Sequence, residues 1–311
     1  MNNRDKIIIG LLASFTCLIW GSAFPFTKIG LDYLPPLRLA GYRFMLGGLI
    51  LMPVLFIKGY DWKELKGQWL YILGFGFIQT FLQYGFFFSG LDLAPSAISS
   101  IIIGAGPFFV AILAHFFIAG EKLNLRKSLS ILLGISGVVF IALKNDVSVK
   151  DYPHFHIGVI LLLVGNAIGA VTNIMVVNHK KKLSNTALTS FACFFGGCLL
   201  TLLSFIKEPE GNKWIGGLTA EFYGALLWLA LIPALGFSIW YYIIKLPQVK
   251  VSEVVVWKFL IPVFGVFLSW ILLANESPEI YSIIGIVIIS ISIIILQINP
   301  LDLFKKKKPR N

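Results

Sequence analysis

Charge is what this chain has least of. Only 13% of its 311 residues are Asp, Glu, Lys or Arg, 57% are hydrophobic, and the mean hydropathy is +0.85. A soluble domain carries roughly 25% charged residues. A large buried core does not account for the gap, because the apolar runs reach the ~20 residues that cross lipid. Cysteine is scarce as well. Cys17, Cys193 and Cys198 all fall inside apolar runs, with no metal-ligand spacing and no disulfide framework, so each reads as packing. There is no Gly-rich Lys-Ser/Thr loop for nucleotide phosphates, no His-Glu-x-x-His helix and no Ser-His-Asp set at a plausible depth. This argues against ATP-driven pumping by the chain alone and against an enzyme, and calls for no cofactor. All fifteen carboxylates lie in connections or at the ends of apolar runs. A proton relay of Asp or Glu at mid-membrane is therefore missing. Exchange, facilitated diffusion or coupling through another group remain.

What is present is a succession of ten apolar runs, at about 7–27, 37–57, 69–90, 95–119, 128–143, 157–178, 186–206, 221–244, 250–274 and 279–298. Their connections are too short for a soluble domain, and the short polar stretch from Met1 to Lys6 reads as the lead into a retained first span. The net charge of +11 does not point to nucleic acid, because the basic residues sit between spans, where topology requires them. Counted by side, eighteen Lys and Arg fall on one face of the membrane and six on the other, with Arg43 and Lys258 inside spans. That bias predicts both termini in the cytoplasm, in a plasma or inner membrane.

The chain also repeats itself. Pro107 precedes Glu121 by fourteen positions, and Pro262 precedes Glu276 by the same number. Each stretch is an apolar run with an early proline and a glutamate where the run ends, and each is followed by one more run. Five spans per half is an odd number, so the second half enters from the opposite side, the pattern of secondary transporters. The expected fold is an all-α polytopic membrane protein of ten transmembrane helices in two inverted five-helix repeats. The expected units are 1–145, 146–300 and a basic cytoplasmic tail, 301–311, whose Lys305–Lys308 run suits anionic lipid.

Trp20-Gly21-Ser22-Ala23-Phe24 with Lys28, Arg43 in span 2, Pro107 to Gly120-Glu121, and the second copy from Pro262 to Glu276 together resemble the EamA-like branch of the drug/metabolite transporter superfamily. The resemblance covers residues 7–298. It implies export or exchange of amino acids, related metabolites or toxic compounds. Two departures stand out: Asn275-Glu276 replaces the usual Gly-Glu, and Lys258 is not a general family feature.

Lys258 is the sharpest candidate for a substrate contact. It lies eight residues into span 9, ~12 Å deep in a core of ~30 Å. A cation there costs ~2.5–3.5 kcal/mol and faces a cavity or a partner. A positive centre for a substrate carboxylate is one reading; snorkelling of its long stem is the other. The prolines supply a second argument. Pro107 cannot bond the carbonyl of Ile103, nor Pro262 that of Lys258. With Gly104, Gly106 and Gly265 nearby, spans 4 and 9 are expected to kink or gate around a central path.

Softer candidates are Gln79, Gln83 and Tyr84 in span 3, Asn166 and Asn173 on one face of span 6, and Trp240 with Tyr241 in span 8. Helix glue or aromatic anchoring competes in each case. The resemblance places Trp20 and Ser22 at a cavity or gate. Arg43 is expected to make a structural or gating pair with carbonyls. His115 reads as interfacial, and the histidines of 151–156 are weak grounds for a metal. Ser130 and Gly134 form a small-xxx-small pair that suits packing within a monomer or across a homodimer.

The cavity is expected among spans 1, 3, 4, 6, 8 and 9, with alternating access by rocking of the repeats. The expected partners are a small-molecule substrate and membrane lipid. A lipid or glycolipid carrier (flippase-like) and a drug efflux protein are the alternatives.

Overall fold

The computed structural model describes residues 3–57, 59–93, 102–142, 153–209, 217–272 and 280–297. Every regular element among them is helical. Span 1 is built from Asn3–Gly21 and Ala23–Leu31, span 2 from Pro36–Ile57, and span 3 from Trp69–Gly76, Phe77–Leu82 and Gln83–Asp92. Span 4 covers Ile102–Phe117 and span 5 Leu125–Ala142. Spans 6, 7 and 8 are Phe155–Asn178, Asn185–Lys207 and Ala220–Ile244. Span 9 joins Val251–Val254, Val255–Phe259 and Leu260–Leu272, and span 10 is Ile280–Gln297. Six of these, spans 1, 2, 3, 6, 7 and 8, are long and apolar enough by themselves to cross a membrane. The protein is an all-α polytopic membrane protein.

The main packing partners obey one rule: exchanging each span with the span five places on carries them onto one another. Span 3 packs on 6 and span 8 on 1; span 4 packs on 6 and span 9 on 1; span 2 packs on 8 and span 7 on 3. Spans 2 and 7 pack on each other, as do 5 and 10. These self-paired spans run antiparallel, since Gly48 meets Ser190 while Gly41 meets Thr201. Equivalent helices that oppose one another require a two-fold axis across the helices, the geometry of an inverted repeat.

The symmetry extends to single atoms. A Cβ on Gly48 would lie 2.6 Å from both the Phe194 nitrogen and the Ser190 oxygen. One on Gly197 would lie 2.5 Å from the Met45 nitrogen and 2.9 Å from the Gly41 oxygen. One shift in numbering carries Gly48, Met45 and Gly41 onto Gly197, Phe194 and Ser190. Glycine is needed at both positions because backbone, not a flexible side chain, fills the space.

The 5·10 pair behaves alike. Ser130 Oγ donates to the Ser292 carbonyl at 2.7 Å, and Ser292 Oγ to the Ser130 carbonyl at 2.6 Å. The shift that takes Pro107 to Pro262 maps this pair onto Gly137 and Gly285, which touch across the same two helices. Gly134 receives the ring of Phe259. The small residues of span 5 are thus engaged inside one chain.

Irregular turns interrupt four spans. Span 1 breaks slightly at Ser22, and span 3 widens to a π-helical turn at Phe77–Leu82. Span 4 turns at Ala105, and span 9 narrows to a 3-10 stretch at Val255–Phe259. Near each proline a carbonyl is engaged. The carbonyl drawn off in span 4 is that of Ile102, which receives Asn166 Nδ2 and the Ala105 N–H, because the turn at Ala105 ends the upstream helix before Pro107 begins the next. In span 9 the Lys258 carbonyl, which Pro262 cannot reach, is not left free: the Leu260 N–H closes on it and on that of Trp257, as the tight 3-10 turn allows.

Candidate functional site

The 3-10 stretch of span 9 lies against span 1, and Cys17 Sγ holds the Trp257 carbonyl at 3.2 Å. It brings Lys258 against rings of spans 1 and 8. Lys258 Nζ stands 4.4 Å from the Trp240 ring centre and 5.0 Å from that of Trp20. The two indoles belong to spans 8 and 1 and are 5.5 Å apart. Three spans therefore meet at one half-buried ammonium. Cation–π attraction of this kind is worth ~0.5–2 kcal/mol per ring, more when water is excluded. It offsets part of the cost of holding the charge in the membrane without neutralising it. No carboxylate pairs with Lys258 among the described residues.

The clamp is itself held. Trp240 is 1% exposed, and its Nε1–H donates to Asn173 Oδ1 at 2.7 Å. Asn173 Nδ2 in turn donates to the Gly169 carbonyl at 2.6 Å. The indole is thus fixed from span 6, and its donor is used up, leaving its face for the cation. A Cβ on Gly236 would meet the Trp20 indole, so that glycine is what lets Trp20 approach span 8.

Aromatic rings continue from the clamp toward span 2. Trp20 is 5.8 Å from Phe237, which stacks on Tyr241 and stands 6.5 Å from Tyr84. Tyr84 lies 4.5 Å from Phe44. At this end the Arg43 guanidinium carbon sits 4.7, 5.6 and 5.8 Å from the ring centres of Phe44, Tyr84 and Phe88. The centre of the protein is a slab of rings with a cation at each end.

A profile of the EamA-like transporter family matches residues 7–143 and matches again over 156–298. The chain belongs to the EamA-like transporter family. It is 30% identical to an uncharacterized transporter of Archaeoglobus fulgidus, over 92% of this chain and 94% of the relative. It is 26% identical to a probable amino-acid metabolite efflux pump of Escherichia coli, over 93% of each. A solved structure titled only as the crystal structure of a protein superposes with a TM-score of 0.78 at 20% identity, covering 93% of this chain and 96% of that one.

In this EamA-like transporter the structure gathers Lys258, Trp20, Trp240, Tyr84 and Arg43 into the central slab. Arg43 lies against rings where carbonyls were expected, because its neighbours on spans 2 and 3 are aromatic. The other sequence candidates have separate engagements. Ser22 Oγ donates to the Ile19 carbonyl at 2.7 Å and accepts Trp228 Nε1–H at 2.9 Å, so it ties span 1 to span 8. Gln79 is 1% exposed, with Oε1 taken by Thr80. Gln83 is half-buried against Gly169. Asn166 is committed to span 4, and Gly106 gives its amide room, a Cβ there lying 3.3 Å from Oδ1. Gly104 similarly admits Val138 of span 5. His115 Nδ1 accepts the Leu123 N–H at 3.3 Å, which secures the turn after span 4. No group of His, Cys, Asp and Glu able to hold a metal occurs among the described residues. Glu276 and Lys305–Lys308 lie outside those residues.

Phe237 was not singled out by sequence. It is one apolar residue in a span of twenty-five, and no local signal marks it as the ring that joins Trp20 to Tyr84.

Proposed function

We propose that this protein is a secondary carrier that exports or exchanges carboxylate-bearing small metabolites, amino acids among them, by alternating access. The observation that carries this reading is the half-buried Lys258 ammonium, held between Trp20 and Trp240 with no carboxylate partner among the described residues. A cation in that setting attracts an anion from outside the chain. The name given to the Escherichia coli relative agrees with amino-acid metabolites as cargo. A cationic drug fits less well, since it would meet positive charge at the centre. The irregular turns in spans 1, 3, 4 and 9 surround the slab and are the places where the halves bend as one rocks on the other. The lysine and arginine bias puts both termini in the cytoplasm of a plasma or inner membrane.

The test is counterflow into proteoliposomes of the purified chain, with labelled amino acids and other carboxylates, alongside Lys258→Ala. Saturable counterflow by the wild type, lost in a folded Lys258→Ala protein, is expected. Unchanged transport by that variant removes Lys258 from the site. No carboxylate transport by folded wild type turns the reading toward a lipid carrier.

A further inference from the structure

The buried cations of this protein fall into two kinds. Arg38 gives Nε–H to Ser204 Oγ at 2.6 Å, and Lys127 reaches Ser252 Oγ at 2.7 Å and Glu253 at 3.6 Å. Each has a polar side-chain partner, as charges removed from water require, and the Arg38 guanidinium also lies 4.1 Å from the Phe205 ring centre. Among the described residues, neither Arg43 nor the half-buried Lys258 has such a partner. Arg43 is 7% exposed, and its Nε is buried without a hydrogen bond. The rings of Phe44, Tyr84 and Phe88 stand around it, and their faces accept the charge but cannot accept a fork of N–H donors. A guanidinium is planar and always charged, and it is suited to two parallel bonds with a carboxylate. Leaving those donors unmade inside a membrane protein is costly. The donors are completed when something brings acceptors to them.

Arg43 and Lys258 stand at opposite ends of the same ring slab, linked through Trp20, Phe237 and Tyr84. We propose that Arg43 is a second anion subsite, so that the preferred cargo carries two acidic groups on an apolar spacer: dicarboxylates, acidic amino acids included. One carboxylate meets Lys258, the other meets the Arg43 fork, and the apolar spacer crosses between them against the rings. This deepens the carboxylate reading and rests on it.

The experiment is ligand-induced thermal stabilisation of the purified full chain in detergent, at matched ionic strength. Glutarate is compared with butyrate in wild type, Arg43→Gln, Arg43→Lys and Lys258→Gln. The wild type is expected to be stabilised by glutarate at lower concentration than by butyrate. Arg43→Gln raises the half-saturating glutarate concentration about tenfold, the scale of one lost charge-assisted pair, and raises that of butyrate by less, so the glutarate advantage shrinks. Arg43→Lys keeps the charge in the ring cage without the fork and loses part of the glutarate advantage. Lys258→Gln loses the response to both. Equal responses to glutarate and butyrate in the wild type overturn the subsite, as does a glutarate advantage that survives undiminished in Arg43→Gln. If Arg43→Gln does not fold, an undiminished advantage in Arg43→Lys overturns it. A butyrate response that depends on Lys258, without a glutarate advantage, leaves the carboxylate reading standing and removes the second subsite. Absence of any carboxylate response overturns both.

Discussion

The Glu121 carboxylate accepts the backbone N–H of Ser252 at 2.8 Å, and its other oxygen accepts that of Val251 at 2.5 Å. The glutamate that ends span 4 thereby satisfies the open N–H groups that begin span 9. Glu208, after span 7, does the same for Leu37 and Arg38 at the start of span 2, at 2.8 and 3.1 Å. Pro36 is the first residue of that helix and has no N–H to satisfy, so the carboxylate takes the two that follow. Each of these bonds joins one half of the chain to the other. A negative charge also suits the positive end of a helix. Since span 9 carries Lys258, the Glu121 bonds tie the position of the site to the far end of span 4.

Glu121→Ala is expected to destabilise the protein by about 2–4 kcal/mol, the loss of charge-assisted bonds to two buried donors. Glu121→Gln, which keeps one acceptor, should lose less. Lys122→Ala, next in sequence, should be close to neutral. Thermal unfolding of the three purified variants in detergent checks the order. Equal loss in Glu121→Ala and Lys122→Ala would remove the special standing of the carboxylate.

The Trp240–Asn173 bond is the next lever. Trp240→Phe keeps a ring beside Lys258 but leaves Asn173 Oδ1 without its donor, and Asn173→Ala leaves the indole N–H unpaired. Each should cost about 1–3 kcal/mol of stability. If the bond orients the clamp, both variants also weaken transport, and the double variant loses less than the sum of the two. A double-mutant cycle on apparent affinity in proteoliposomes measures that coupling. Additive losses would mean the two residues act separately.

Much of the architecture could be read from hydropathy and charge placement, because a membrane span needs a long apolar run and a repeat leaves matching punctuation. Pro107 with Glu121 and Pro262 with Glu276 marked the duplication, and Lys258 stood out as a cation in an apolar run. Its surroundings were hidden. Trp20, Trp240 and Phe237 come from other spans, and in a chain with 27 phenylalanines and 8 tryptophans no ring announces which neighbour it will meet. Glu121 was legible as the end of a span but not as a cap, since its partners lie about 130 positions away. The wide turn at Phe77–Leu82 had no warning, for no proline falls in it, whereas the turn at Ala105 lay close to the predicted proline.

A pH response is expected in the connection after span 6. His179 stacks on Tyr71 with ring centres 3.9 Å apart, and its Nε2 pairs with Gln68 Oε1 at 2.7 Å. Gln68 Nε2 also donates to the Glu64 and Lys182 carbonyls, so this cluster joins the connection before span 3 to the one after span 6. Burial, then the charges of Lys245 and Lys181, hold the His179 pKa below the ordinary 6.5. The unfolded chain therefore takes up the proton first as pH falls, and folded stability declines below about 6.5 until the folded-state pKa is passed. The drop in melting temperature from pH 7.5 to 5.5 should be smaller in His179→Gln than in wild type. Identical drops would exclude His179 as a contributor.

Two glycines should answer the same substitution with opposite signs. Gly48 lies where spans 2 and 7 cross, and an alanine Cβ would enter within 2.6 Å of backbone on span 7. Neither the Ser190 carbonyl nor the Phe194 nitrogen can swing aside, so the two helices must part. Overpacking of this sort costs about 1–3 kcal/mol. The Ser190 Oγ bond to the Gly48 carbonyl, 2.8 Å long, would be stretched by the same movement. Gly74, in the helix Trp69–Gly76, has nothing within 4 Å of the added Cβ. There alanine only restricts the backbone and should stabilise by about 0.5–1 kcal/mol. Fluorescence-detected thermal unfolding of Gly48→Ala and Gly74→Ala reads both effects in one experiment. Because spans 2 and 7 are related by the two-fold, Gly197→Ala should lose as much as Gly48→Ala, its Cβ meeting the Met45 nitrogen and the Gly41 oxygen from the other side. A neutral Gly197→Ala beside a damaging Gly48→Ala would break the equivalence of the halves at this crossing.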